Sequence, residues 1–208
     1  MFIHAERANK YFVGVQTACA HLGNRLWLLL LGFWVALVIY GSTKLELYAA
    51  TPGQHATGLS SVAGKRFHLY VFLHPLCACS TASIDELNRL QDRAGAQLDM
   101  TAVIDNAGFL PKTAQLLVST LTATPGLAVE VDADGKKSAS YGARTSGQVL
   151  LFDTAGTLVF SGGVTSARAH EGDNIGETAI LDIVRGRVPT THETPSFGCA
   201  LSPPTLTR

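Results

Sequence analysis

The segment RLWLLLLGFWVALVIYGSTK, Arg25 to Lys44, contains 18 consecutive residues without a charge. Coiled as a helix, 18 residues reach about 27 Å, close to the roughly 30 Å of hydrocarbon in a bilayer. No polar stripe interrupts the run, which argues against a helix packed by one face into a soluble core. No small-x-small site follows it closely, because Lys44 and Glu46 come before Ala49-Ala50. The expectation is therefore an uncleaved anchor through residues 26–43, embedded in a lipid bilayer, rather than a removed signal peptide. Arg7, Lys10 and Arg25 precede the run against Glu6 alone, so the positive-inside rule places the N-terminus in the cytoplasm and residues 44–208 outside it.

This anchor divides the rest of the chain. Residues 1–25 form a short cytoplasmic segment, 44–63 a Gly-, Ser-, Thr- and Ala-rich tether, 64–186 a folded domain, and 187–208 a Pro-rich tail. Of the four cysteines, Cys19 falls on the cytoplasmic side, while Cys77, Cys79 and Cys199 face an oxidising compartment. Four are too few to staple a small fold, which points to redox or metal chemistry. Lys and Arg total 16, as do Asp and Glu, so there is no basic excess and no sign of a nucleic-acid partner.

Within the folded part, KRFHLYVFLH has the β-branched and aromatic content of a strand. From Ser80, Ile84, Leu87, Leu90 and Ala94 recur on one helical face. AQLDMTAVID reads as a strand, PKTAQLLVSTL as a helix with Pro111 in its first turn, and GLAVEVDADG as a strand ending in a turn at Asp134-Gly135. Gln148–Phe152 and Thr157–Ser161 flank the short turn 153–156 and read as an antiparallel hairpin. Asp173 or Asn174 can cap a last helix, Ile175–Arg185, with Ile180, Leu181 and Val184 facing in. The fold class is α/β: two βα units, a hairpin and a covering helix, in the order βαβα-ββα, forming a mixed sheet flanked by helices on both faces.

The stretch HPLCACST, His74 to Thr81, puts two cysteines at the junction of the first strand and helix. That placement, with Phe72 five residues before Cys77, and the segment YGARTSGQVLLFDTAGTLVFSGG, resembles the thioredoxin superfamily over residues 60–186. The apolar anchor makes the chain similar to membrane-anchored, periplasm-facing thioredoxin-like proteins of bacteria, and HPLCACS with the late FGC is similar to the small RedB group. The resemblance implies a single pass through the bacterial inner membrane, a periplasmic domain, and protein thiols or disulfides as partners. Two departures stand out. The family's Cys-x-x-Cys is here Cys77-Ala78-Cys79, with Ser80 in the second-cysteine position. Its cis-proline position, which faces the reactive sulfur, is matched by Gly147 after Ser146.

Cys77 is expected just before the first turn of a helix, where unsatisfied N–H groups and the dipole stabilise a thiolate. A Cys77–Cys79 disulfide would close a small, strained ring that is readily reduced. Cys199 offers a second partner. From Gly186 to Cys199 are 13 residues, about 43 Å if extended, ample to retrace a helix of roughly 17 Å. Cys199 is then a resolving thiol, a third metal ligand, or a plain tail cysteine. His74 and His170 are candidate acid/base groups, set against the plainer readings of a strand end and a solvated loop. The loop GGVTSARAHEGDN, which carries Arg168, His170, Glu171 and Asp173, should emerge on the same side as the thiols. The first expectation is a thiol–disulfide oxidoreductase or redox relay without a cofactor. The alternative is a copper-binding or copper-delivery protein using Cys77, Cys79 and Cys199, since thiolates suit Cu(I).

Overall fold

The computed structural model describes residues 3–53 and 63–201, with side chains from Arg25 onward. The chain divides into two compact units, 1–47 and 48–208. The first is helical throughout its described length, within the helix α1, Ile3–Ala50. Arg25–Ala50 is 26 residues long and contains an 18-residue window with a mean hydropathy of 1.9, long and apolar enough to cross a membrane. Its large side chains, Trp27, Leu29 and Phe33 among them, are exposed. The hydroxyls of Ser42 and Thr43 fold back onto the carbonyls of Ile39 and Tyr40, which leaves neither polar group bare on an apolar surface. The helix continues through residues 44–50, where a tether was expected. Lys44, Leu45, Glu46 and Leu47 are good helix formers, and no Gly or Pro stops the helix before Pro52. The rest of the expected tether, residues 54–62, lies outside the described residues.

The second unit is built on a five-stranded sheet of β1 Phe67–Leu73, β2 Leu98–Asp105, β3 Leu127–Asp132, β4 Gln148–Phe152 and β5 Leu158–Gly163. The strand order is β3-β2-β1-β4-β5, with β1, β2 and β3 parallel and β4 and β5 antiparallel to their neighbours. The order βαβα-ββα accounts for four of these strands. The fifth is the edge strand β3, which the GLAVEVD pattern predicts.

Helices α2 Cys79–Ala94, α3 Pro111–Thr122 and α5 Ile175–Val184 contribute to one core with Leu69, Val71, Leu73, Met100, Ile104, Val149 and Phe160. The sequence suggested helices on both faces, but these three share one. β1, β2 and β3 succeed each other in a single direction across the sheet, and right-handed crossovers then keep both connecting helices on the same side. The other face packs Tyr70, Phe72, Val103, Leu150 and Phe152 against Tyr141 and Leu201. Tyr141 follows the five-residue helix α4, Lys136–Ser140, which is too short to show a periodicity. The carboxylate of Asp132, at the end of β3, accepts the backbone N–H groups of Lys137 and Ser138 and so holds α4 in place.

Two features connect this scaffold to the cysteines. Asn174 is the N-cap of α5, and its side-chain oxygen accepts the Glu177 N–H at 2.7 Å. Its amide also donates to Glu86, a fully buried acid of α2 paired with Arg89. Asn174→Ala is expected to lose both interactions and about 1–2 kcal/mol of stability, measurable by urea unfolding. After α5 the chain returns as a strap. Thr194 bonds Ser161 and Gly163 at the free edge of β5, and residues 199–201 then run antiparallel to residues 144–146.

Candidate active site

β1 ends at Leu73, and Pro75 in the following HPLC turn keeps the preceding residue extended. The Cys77 N–H donates to the His74 carbonyl at 3.1 Å, and the Ser80 N–H donates to the Cys77 carbonyl at 3.0 Å. Helix α2 starts at Cys79 with Ala78 as N-cap, so Cys77 sits just ahead of a turn whose N–H groups have no partner within the helix. Cys77 is 5% exposed.

Its sulfur is the meeting point of several donors. The backbone N–H of Cys199 reaches it at 3.3 Å. The Cys199 thiol, the Cys79 N–H and the Ser146 hydroxyl also donate to it. Burial pushes the Cys77 thiol up, but these hydrogen bonds outweigh burial and hold it below the ordinary thiol value. Its neighbours respond in the opposite sense. Burial raises Cys79, and the negative charge of Cys77 and a hydrogen bond to it add to that, while the Ala169 N–H and Arg168 oppose it. Cys199 is pushed up to about 11 by burial first, then by its hydrogen bond to Cys77 and the charges of Cys77 and Cys79. All three thiols are free. Cys77 is therefore the most acidic of the three thiols and the first to ionise as pH rises.

Ser146 faces Cys77, to which its hydroxyl donates. The Ser146 hydroxyl accepts the His74 N–H at 3.0 Å, and its backbone N–H donates to the Cys199 carbonyl at 2.8 Å. Gly147 has φ +86° and donates to the Phe72 carbonyl at 2.7 Å, and a Cβ there would come within 2.8 Å of the Ser83 hydroxyl. Glycine is required at this turn, and its peptide bonds are trans like every other described one. Ser80 is buried, donates to the His74 carbonyl at 3.0 Å and lies 3.3 Å from the Ser146 hydroxyl. It therefore braces the turn where a second cysteine would stand in a Cys-x-x-Cys site.

The two histidines fall at different places. His74 accepts the Leu76 N–H on Nδ1 at 3.2 Å, and its ring meets Phe109 edge-on with centroids 5.2 Å apart. Burial lowers its pKa, with Asp105 opposing, so it is a neutral imidazole above pH 6.5. His170 is exposed on the loop between β5 and α5. That loop brings in a group the spacing of the cysteines did not indicate. The guanidinium of Arg168 donates to the Gly198 carbonyl and to the Tyr48 carbonyl, and it acts on both Cys79 and Cys199. The sequence signal was the loop's length and charge, which do not by themselves single out one of its residues. Among the described residues, no group of three or more His, Cys, Asp or Glu side chains is disposed to hold a metal ion.

A mixed sheet in this order, with a cysteine pair where its central parallel strand passes into a helix, defines a thioredoxin-like fold. The chain is similar to several solved structures. An uncharacterized conserved protein from Geobacillus kaustophilus is similar at 16% identity, over 74% of this chain and 92% of that one, with a TM-score of 0.56. A hypothetical protein from Sinorhizobium meliloti is similar at 21% identity, over 73% and 93%, with a TM-score of 0.53. The exposed lipoprotein thioredoxin Etrx1 of Streptococcus pneumoniae matches at 19% identity, over 64% and 98%, with a TM-score of 0.46. No protein-family model matches the chain, and no curated protein matches it.

Proposed function

We propose that this chain is a thiol–disulfide oxidoreductase or redox relay, anchored in a bacterial inner membrane through residues 26–43, with its thioredoxin-like domain in the periplasm. The observation that carries this reading is the convergence of two free cysteines, Cys79 and Cys199, on a third, Cys77, whose hydrogen-bond donors hold its pKa below the ordinary thiol value. The Cys77 thiolate attacks a client disulfide, forming a mixed disulfide and releasing the first client sulfur as a thiolate, which takes a proton. Cys199 then attacks the Cys77 sulfur, forming the Cys77–Cys199 bridge and releasing the second client sulfur, which takes the Cys199 proton. The client disulfide is reduced to two thiols, and a dithiol reductant must restore the bridge. Reversal of both steps oxidises a client dithiol.

The pKa pattern supports this sequence. While Cys77 carries its charge, that charge and the hydrogen bond to it help keep Cys199 protonated and inert. Once Cys77 is in a mixed disulfide, both influences disappear, while burial still raises Cys199 and Arg168 still lowers it. Cys199 thus becomes a better nucleophile only after Cys77 has reacted. Cys79 is the weaker candidate, because bridging residues two apart strains the disulfide.

The test uses the full chain, a disulfide-bonded peptide client and single-turnover conditions. Cys199→Ser is expected to keep the first attack and to lengthen the life of the Cys77 mixed disulfide by at least about tenfold, since the intramolecular partner is gone. An unchanged lifetime removes Cys199 from the resolving role. Metal analysis of the same sample addresses the copper alternative. Stoichiometric copper that is lost in the Cys77→Ser/Cys79→Ser variant would replace the relay by a copper carrier.

A further inference from the structure

Resting on the oxidoreductase reading, we propose that Arg168 is a positioning residue of the thiol site: by gripping the Gly198 carbonyl it holds Cys199 against Cys77. Its side-chain hydrogen bonds go to backbone carbonyls of the strap and of Tyr48 rather than to a sulfur, so beyond its charge on Cys79 and Cys199 it acts through the strap.

Arg168 is itself held from several directions. Its backbone N–H donates to the Ala49 carbonyl at 3.0 Å, and its Nε donates to the Tyr48 carbonyl at 3.1 Å. Its guanidinium lies over the Tyr48 ring at 4.6 Å from the centroid and still donates to Gly198. A planar fork with several fixed donors can serve two carbonyls and stack on a ring at once, which an ammonium cannot. The next residue, Ala169, is the one non-glycine with a positive φ (+54°) among the described residues. That uncommon conformation places its N–H on the Cys79 sulfur. The far end of the loop is fixed by Glu86, which accepts the Gly172 N–H at 2.6 Å and the Asn174 amide at 3.3 Å. A loop with both ends fixed therefore presents Arg168 to the strap one residue before Cys199.

The strap needs such a grip. Beyond Phe197, the backbone ties of its described residues to the rest of the domain run from Cys199 to Ser146 and Cys77, and from Leu201 to Arg144. Arg168 adds a charge-assisted bond at Gly198, between the buried Phe197 and the reactive pair.

The experiment equilibrates the full chain with a glutathione series and quantifies the Cys77–Cys199 bridge by peptide mapping. In Arg168→Gln, half-oxidation is expected to shift by at least tenfold in the reduced-to-oxidised glutathione ratio, towards weaker bridging. Arg168→Lys should recover part of it, because it restores one charged donor without the fork. The alkylation pH midpoint of Cys77 should rise in the same order. The groups that face this sulfur are Cys79 from α2, Cys199 from the strap and Ser146 from the turn before β4, and only the strap's contribution is loosened. A purely structural role would lower the melting temperature without ordering the bridge equilibrium as Arg, Lys, Gln. An unchanged equilibrium and pH midpoint in Arg168→Gln overturns the inference alone. Failure of the bridge to form in the unaltered chain overturns both the inference and the resolving role of Cys199. Should Arg168→Gln fail to fold, Arg168→Lys carries the same test, and a bridge equilibrium equal to the native one would overturn the proposal.

Discussion

Cys77→Ser is expected to abolish the proposed thiol–disulfide exchange by the full chain, by more than about a thousandfold, because it removes the proposed nucleophile itself. A serine hydroxyl forms no disulfide, and the donors gathered at this point cannot turn an alcohol into an alkoxide near neutral pH. The fold should survive, since Ser is smaller than Cys and the N–H groups of Cys79 and Cys199 still find an oxygen. Cys79→Ser is the informative contrast. Cys79 sits in the first turn of α2 under the Ala169 N–H and contributes only a secondary donor to Cys77. Exchange in Cys79→Ser should stay within about tenfold of the native rate, as expected for the loss of one modest hydrogen bond. Single-turnover kinetics with a peptide disulfide separate the two. Full activity in Cys77→Ser would remove the basis of the proposed function. Loss of activity in Cys79→Ser with retention in Cys199→Ser would make Cys77 and Cys79 the working pair.

The pH profile has a definite sign. Cys77 titrates below the ordinary thiol value and Cys199 at about 11, so between these values alkylation should mark Cys77 and spare Cys199. Where labelling begins on the acid side reports the donors around Cys77. Where the second thiol joins reports how far the first suppresses it.

Much of this architecture could be read from the sequence because local pattern and tertiary role agreed. Ile84, Leu87, Leu90 and Ala94 recur with helical spacing and are all buried, and the alternation in β1 sends Leu69, Val71 and Leu73 to one core and Tyr70 and Phe72 to the other. Asn174 has the chemistry of a cap and is one. Ser146 and Gly147 were found through the tyrosine-glycine, turn and hairpin pattern around them. Where local pattern and long-range contact part, the sequence was silent. Glu86 has the appearance of a solvated helix residue, yet it is fully buried because the loop 172–174 and Arg89 satisfy its carboxylate. Arg168 shares its loop with three other charged or titratable residues, and only the path of the strap distinguishes it. The antiparallel pairing of residues 199–201 with 144–146 joins segments more than 50 residues apart, neither of which has the length or alternation of a strand.

Gly198 is where the strap can be tested without touching a charge or a sulfur. A Cβ at this position would lie 2.8 Å from the Ser146 carbonyl carbon and closer still to its oxygen. Those atoms are backbone, held on one side by the Ser146 N–H donating to the Cys199 carbonyl and on the other by the Gly147 N–H donating to the Phe72 carbonyl. They have little room to give. Gly198→Ala is therefore expected to lift Cys199 off Cys77, with two opposed consequences. Cys77 loses the N–H and thiol donors of Cys199, so its titration moves up towards that of a free thiol. It also loses its cover, so each thiolate that forms is easier to reach. Alkylation below the native midpoint should slow by at least about tenfold, the value of even one of these two hydrogen bonds to a charged group, whereas the plateau at high pH should rise. The native and variant profiles therefore cross. A Cys199→Ala variant, which keeps the backbone and hence the cover but loses the side-chain donor, should slow at low pH without the higher plateau. If the Gly198→Ala profile superposes on the native one, the strap neither activates nor shields Cys77, and the thiolate must owe its stability to α2 and Ser146 alone.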